Sequence, residues 1–402
     1  MKFGLQFQLQ TPRPYDADTW RPEDEQKIMN EALEQIEFAD KLGYDYVFFT
    51  EHHFLEEYCH STAPEVVLAA AAARTKNIRL GHGIIQMPPN QNHPARVAER
   101  IATLDLVSNG RVEFGTGEGA TETEIGGFLT KQKEKKEAWE EATRECLRMM
   151  SCTPYPGYEG KYFSMPERNV IPKPLQKPHP PVWVAASRRE TVMLAARMGI
   201  GALGFGFESP EEAEERALRY FELIRGCREP LGAAINPALL TTGNMLCAKT
   251  DEEAVERGLE GAQYFGFVFG WMHGHLSHGR DNIYREFRNR ADAEQTAQAR
   301  DSATALEPED ESARALYRMG RRGNFMGSPD FIRQSCLRYE AAHVDALLFF
   351  SQCGARKHEH IMESLELFAK EVMPEFKERH PLHQRWREQQ LEGVTLPINS
   401  SI

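Results

Sequence analysis

Apolar and polar positions follow two spacings along this 402-residue chain, with short apolar runs of strand length between longer stretches of helical period. Phe3 to Leu9 alternates with period two, and Glu25 to Leu42 has helical periodicity closed by Gly43. Tyr46 to Thr50 reads as a second strand, Ala63-Pro64 opens an alanine-rich helix through Arg74, and Ile78 to Ile85 is a third strand. His93-Pro94 leads into a helix ending near Ser108-Asn109-Gly110. Arg111 to Phe114 is the fourth strand, and a charged helix follows from about Lys131 to Met150. After a proline-rich connection from Pro166 to Pro181 come a strand at Val182 to Ala185, a helix to Met198, and strands near Ala202 to Phe205, Leu239 to Leu246 and Ala346 to Phe350.

Strands alternating with helices at this spacing predict parallel βα units. A count of about eight strands favours a closed (β/α)8 TIM barrel over an open doubly wound sheet. The expected α/β fold is one domain over residues 1–402, with a long insertion at about 269–325 in the C-terminal third. That insertion carries no strand signal, and its acidic stretch Asp292 to Ser312 reads as mobile. The polar tail from about 381 to 402 is expected on the surface or against a partner subunit.

Composition narrows the classes. Seven cysteines are odd in number, scattered, and form no C-x-x-C pair, so neither a zinc site nor a disulfide framework is expected. A chain of this length builds its core without such staples. The start lacks the apolar run of a signal peptide and no segment is apolar enough to cross a bilayer, so a cytoplasmic setting is expected. A net charge of -12 argues against nucleic acid as a partner.

Chemistry gathers where strands end. Tyr46-Val47-Phe48-Phe49-Thr50 stops in Glu51-His52-His53-Phe54, and Arg111-Val112-Glu113-Phe114 stops in Gly115-Thr116-Gly117-Glu118-Gly119. Carboxyl ends of parallel strands are where barrel enzymes work, so the chain reads as an enzyme. The glycine run formally satisfies G-x-G-x-x-G/A, but it follows the fourth strand rather than the first, which argues against a dinucleotide fold. Its glycines are expected to let the backbone pass close to a flat ligand. Successive strand residues point to opposite sides, so His52 and His53 do not chelate one ion; one faces the mouth and the other the helical shell. His273-Gly-His275-Leu-Ser-His278 lacks a carboxylate or cysteine partner at metal spacing and reads as a pocket-lining loop; no metal is expected. Ser187-Arg188-Arg189-Glu190-Thr191 opens a helix after a strand. It is either an ordinary cap built on Ser187 or an anion site, and the paired arginines favour phosphate.

Several separated segments, in order, match one family. They are Glu51-His52-His53-Phe54, Arg79-Leu80-Gly81 with Met87-Pro88, His93-Pro94-x-Arg96-x-Ala98-Glu99, and Leu104-Asp105-x-x-Ser108-x-Gly110-Arg111-x-x-Phe114-Gly115. Pro180-Pro181-Val182-Trp183-Val184-Ala185, Gly327-Ser328-Pro329 and Ser364-Leu365-Glu366-Leu367-Phe368-Ala369-x-Glu371-Val372-x-Pro374 complete the set. The chain resembles the bacterial luciferase-like flavin-dependent monooxygenases. That resemblance implies a barrel holding reduced flavin mononucleotide (FMN) delivered by a separate reductase, O2 activated as a flavin hydroperoxide, and a small organic substrate. No NAD-binding unit is visible in the sequence, in keeping with an external reductase.

By position, the resemblance implies His52 as the acid/base group and a cis peptide at Gly83-Ile84 under the flavin. It places the phosphate on Ser187, Arg188 and Thr191, with Lys136 as a further candidate. Glu118 stands where many relatives carry a basic residue: it either points away from the phosphate or contacts flavin or substrate. Phe7, Tyr15, Phe54, Met87, Trp271 and His273 are candidates to line the substrate pocket, and Phe265 to His278 to form its lid. Relatives are commonly homodimers. The alternatives are hydride transfer with a deazaflavin and, behind it, a flavin-binding protein without catalysis.

Overall fold

The structure is a computed structural model that describes residues 1–204, 209–274, 281–300 and 325–402, the side chains of 273–274 and 292–300 excepted. Eight parallel strands close into a barrel: β1 (Lys2–Phe7), β2 (Tyr46–Phe49), β3 (Arg79–His82), β4 (Val112–Gly117), β5 (Val182–Ala186), β6 (Gly201–Gly204), β7 (Leu239–Cys247) and β8 (Ala346–Phe350). Each pairs with the next, and β1 pairs with β8 from Lys2 opposite Ala346 to Leu5 opposite Phe349, so no edge is left. The helices are α1 (Pro22–Leu42), α2 (Pro64–Arg74), α3 (Pro94–Val107), α4 (Glu122–Gly127), α5 (Lys135–Ser151), α6 (Arg189–Arg197), α7 (Pro210–Arg225), α8 (Asp251–Gly274), α9 (Ile283–Arg300), α10 (Pro329–Ala341), α11 (His358–Glu371) and α12 (Met373–Gln390). Proline occupies the first turn of α1, α2, α3, α7 and α10, where its missing N–H would be unpartnered anyway.

Period-two alternation sorts side chains into two cores. Phe3, Phe7, Val47 and Phe49 face outward into the helical shell, where Phe3 meets Phe368 and Phe376 edge-on at 5.0 and 5.4 Å. Tyr46, Phe48, Trp183, Leu203, Leu240 and Leu348 fill the interior. Beneath them the buried Glu113 accepts from Trp183 Nε1 at 2.7 Å and pairs with Arg79. The interior is therefore packed, as in other closed barrels of this size.

A buried acid fixes the cap over that mouth. Glu57, fully buried, accepts from Arg13 N and Nη1 (2.9 and 3.1 Å), Tyr264 OH (2.7 Å) and the amides of Ile283 and Tyr284 (2.6 and 3.1 Å). One carboxylate thus ties the β1 loop, the turn after β2, α8 and α9 together, each lone pair satisfied.

Two expectations change here. Within 269–325, residues 269–274 complete α8, α9 is helical, and Phe325–Gly327 pairs with Met245–Cys247; residues 275–280 and 301–324 lie outside the described residues. The polar tail is not merely a surface wrap. α12 runs on through Pro381, and its His383 and Arg387 are buried against Asp345. Residues 397–399 then run beside Ile235, and the Ser401 carbonyl accepts from Tyr46 OH at 3.0 Å. Paired charges, not apolar periodicity, bury this segment, which is why hydropathy misses it. Among the described residues, no helix is long and apolar enough to cross a membrane.

Candidate active site

A cavity of about 470 Å³ opens at the carboxyl ends of β1, β2, β4 and β5. At one side of it stands His52, three residues beyond β2. Its Nδ1 lies 2.9 Å from Glu124 Oε1, and its ring meets Tyr58 edge-on at 5.4 Å. His53 turns the other way: Nε2 lies 2.9 Å from Glu51 Oε1, and the ring rests against Phe128 at 4.9 Å. Gln86 ties the two acids together, donating from Nε2 to Glu124 Oε1 (2.7 Å) and from its amide to Glu51 Oε2 (3.2 Å). Burial alone would raise the Glu124 carboxyl; the adjacent His52, with hydrogen bonds from Thr121 and Gln86, instead holds it down at about 2.

The opposite end is cationic and hydroxylic. Ser187, Arg188, Thr191 and Lys136 all line the cavity. Arg188, not Ser187, is the N-cap residue of α6, and Arg189 pairs with Glu215 on α7, so the two arginines part company. Glu118 also lines the cavity, but Lys135 Nζ sits 3.5 Å from its carboxylate and donates to the Gly119 carbonyl at 2.9 Å. A neighbouring cation therefore offsets the charge that would repel a phosphate.

Ile84, Val184, Leu194 and Trp139 give the cavity an apolar part of its lining. The Gly83–Ile84 peptide bond is cis. The room left by the glycines at and just beyond the end of β4 is taken up by protein: a Cβ on Gly117 would meet Ile84 at 2.6 Å, and one on Gly119 would meet Ile125 at 2.7 Å. Their smallness packs Ile84 and α4 rather than simply making way for a ligand. Gln8 Oε1 and Gln86 Oε1 are buried without a partner, and both residues line the cavity. An apolar lining with unpartnered amide oxygens, together with cations, hydroxyls and a helix start, suits a ring with a phosphate tail.

Five expected pocket residues lie elsewhere. Phe7 faces the shell, stacked on Phe49 at 5.0 Å, and its neighbour Gln8 faces the cavity instead. Met87 is buried in the outer core, and Phe54 is half exposed against Phe128. Trp271 packs on Phe267 at 5.8 Å; the same helix presents Phe269 and Met272 to the cavity. Tyr15 is exposed and bonds Asn289, while the side chain of His273 and the rest of its histidine cluster lie outside the described residues.

Sequence reasoning missed Glu124, Gln8, Gln86 and Tyr58. One signal was available: Thr121-x-x-Glu124 is a capping box, formed here by Thr121 Oγ1 accepting from the Glu124 amide and Glu124 Oε2 from the Thr121 amide, both at 3.3 Å.

Several known proteins are similar to this chain. The oxygenase component of flavin-dependent trigonelline monooxygenase from Acinetobacter baylyi is 25% identical over 384 residues, 94% of this chain and 96% of that protein. An F420-dependent glucose-6-phosphate dehydrogenase from Microbacterium testaceum is 29% identical over 205 residues, 50% of this chain and 59% of that one. The oxygenating constituent of 3,6-diketocamphane monooxygenase from Pseudomonas putida, solved with FMN, superposes with a TM-score of 0.68 at 20% identity over 93% of this chain and 98% of its own. The model of the luciferase-like monooxygenase family matches residues 2–346, and the chain belongs to that family.

Proposed function

We propose that this protein is the oxygenase component of a two-component flavin-dependent monooxygenase, taking reduced FMN from a separate reductase and oxygenating a small organic substrate with O2. The observation that carries this reading is one cavity lined by a histidine backed by a buried carboxylate, by apolar side chains, and by Arg188 and Lys136. When bound, reduced FMN supplies the electrons that activate O2. Arg188, Ser187, Thr191 and Lys136 hold its phosphate, while Ile84 and Val184 support the ring. Gln8 and Gln86 offer their free amide oxygens to ring N–H groups. His52 gives or takes a proton during oxygen transfer. Phe269 and Met272 cover the mouth with apolar surface and keep water from the reacting atoms.

A second reading, hydride transfer with the deazaflavin F420, draws support from the F420-dependent relative. An anaerobic titration with reduced FMN and, in parallel, reduced F420 separates the two, followed by mixing with oxygenated buffer and assay of candidate substrates. The proposal expects saturable binding of reduced FMN and incorporation of one oxygen atom into product. Binding of F420 alone, with substrate oxidised in the absence of O2, would overturn it.

A further inference from the structure

The two nitrogens of an imidazole become different groups once one of them is engaged. Glu124 is fully buried and ringed by donors: the Gln86 amide (2.7 Å) and the His53 N–H (3.2 Å) on Oε1, and the Thr121 hydroxyl (3.0 Å) and N–H (3.3 Å) on Oε2. A proton on either oxygen would have to displace one of these donors, so Glu124 acts only as an acceptor. His52 Nδ1, 2.9 Å from Oε1, must then carry a hydrogen. We infer that Glu124 is the positioning residue of His52, fixing its Nδ1–H tautomer and leaving Nε2 as the nitrogen that exchanges a proton in the cavity.

The local sequence is built around that contact. Thr121 caps α4 and holds Glu124 from its other side, and the small Gly119 admits Ile125 of the same helix. The six-residue α4 thus brings a carboxylate under a histidine that lies 72 positions earlier in the chain. The lowered pKa of Glu124 agrees with this arrangement. The titratable and charged groups around His52 are Glu124 from α4, Tyr58 from the turn after β2, and Glu51 and His53 on its own segment, with Glu118, Lys135, Lys136 and Arg188 also lining the cavity. Glu51 is engaged by His53, Asn92 and Gln86, which leaves Glu124 as the carboxylate bonded to His52.

The use of the proton rests on the oxygenase reading; the tautomer does not. The test is side-chain ¹⁵N NMR of ligand-free, ¹⁵N-histidine-labelled protein, with the His52 signals identified by their loss in His52→Gln. The neutral ring is expected as the Nδ1–H tautomer. In Glu124→Gln the preference for the Nδ1–H tautomer should weaken, because a side-chain amide can donate to Nδ1 as well as accept from it. Turnover in that variant should fall roughly 10–100-fold, with KM and reduced-FMN affinity held within about 2-fold, and Glu124→Asp should restore part of it. An Nε2–H tautomer in the unmodified protein, or an undiminished Nδ1–H preference with unchanged turnover in Glu124→Gln, would overturn the inference. The tautomer measurement needs no variant of Glu124, so it decides even if Glu124→Gln fails to fold. Failure to bind flavin with the Nδ1–H tautomer intact would sink the oxygenase reading and leave the pair standing.

Discussion

Two histidine–carboxylate pairs sit at opposite ends of the barrel, and they differ in what surrounds them. At the mouth, His52 meets Glu124 at 2.9 Å, and the His52 side chain keeps 16% of its surface open. At the floor, His383 meets Asp345 at 2.7 Å with only 3% of its side chain open, and Arg387 joins the same oxygen at 2.5 Å. The second oxygen of Asp345 accepts from the Leu239 amide, and Arg387 also donates to the Pro237 carbonyl. The floor cluster is enclosed by its own partners and ties α12 to β7 and β8. The mouth pair has one satisfied side and one side turned to a cavity. The enclosed pair thus holds the fold together, while the pair at the mouth leaves one face of its histidine on the cavity.

The comparison breaks first at His52. His52→Ala should lower oxygenation roughly 10²–10⁴-fold, the contribution of one acid/base group, while the urea midpoint stays close to that of the unmodified protein. Wild-type turnover would remove the mouth pair from the chemistry. At the floor the effects reverse. Asp345→Ala leaves Arg387 and His383 buried without their anion and should cost about 3–5 kcal/mol of stability, read from equilibrium unfolding, with turnover per folded molecule preserved. A loss below about 1 kcal/mol, the scale of exposed pairs, would mean the floor cluster carries no special weight.

A third histidine sharpens the contrast. His82 is fully buried with neither ring nitrogen partnered, and burial holds it down at about 4, below the 6.5 of an exposed histidine. Between those two values the unfolded chain binds the extra proton, so stability falls as pH drops through that window. The expected loss is about 3 kcal/mol by pH 4, at 1.36 kcal/mol per unit, and His82→Leu should lack it. Equal pH slopes in the two proteins would contradict this. The smallest effect belongs to the cationic end: Arg188→Ala should weaken reduced FMN about 10-fold, the scale of one charge-assisted hydrogen bond, measured by anaerobic titration.

The barrel was legible because each apolar run ends in turn chemistry, and because parallel strands need helices between them. Its site was half legible. His52 stood out at a strand end, but Phe7 and Gln8 show why the lining did not. In a barrel the large apolar side chains of β1 face the helical shell, so an aromatic residue near a strand end points away from the mouth and its polar neighbour points in. Trp271 fails for the helical version of the same reason. Phe269 and Met272 share one face of α8 while Phe267 and Trp271 share another, and only tertiary contact decides which face is down. Glu124 had a local signal in its capping box, but its meeting with His52 is made by the closed sheet and not by spacing in the chain. The tail was illegible because it is buried through ion pairs.

The most direct test of the account is reduced-FMN affinity measured anaerobically in the unmodified protein, Arg188→Ala and His52→Ala. The account separates a phosphate-holding end from a proton-transferring end. It predicts binding that weakens in Arg188→Ala and persists in His52→Ala. Binding indifferent to Arg188 and abolished by loss of His52 would contradict it.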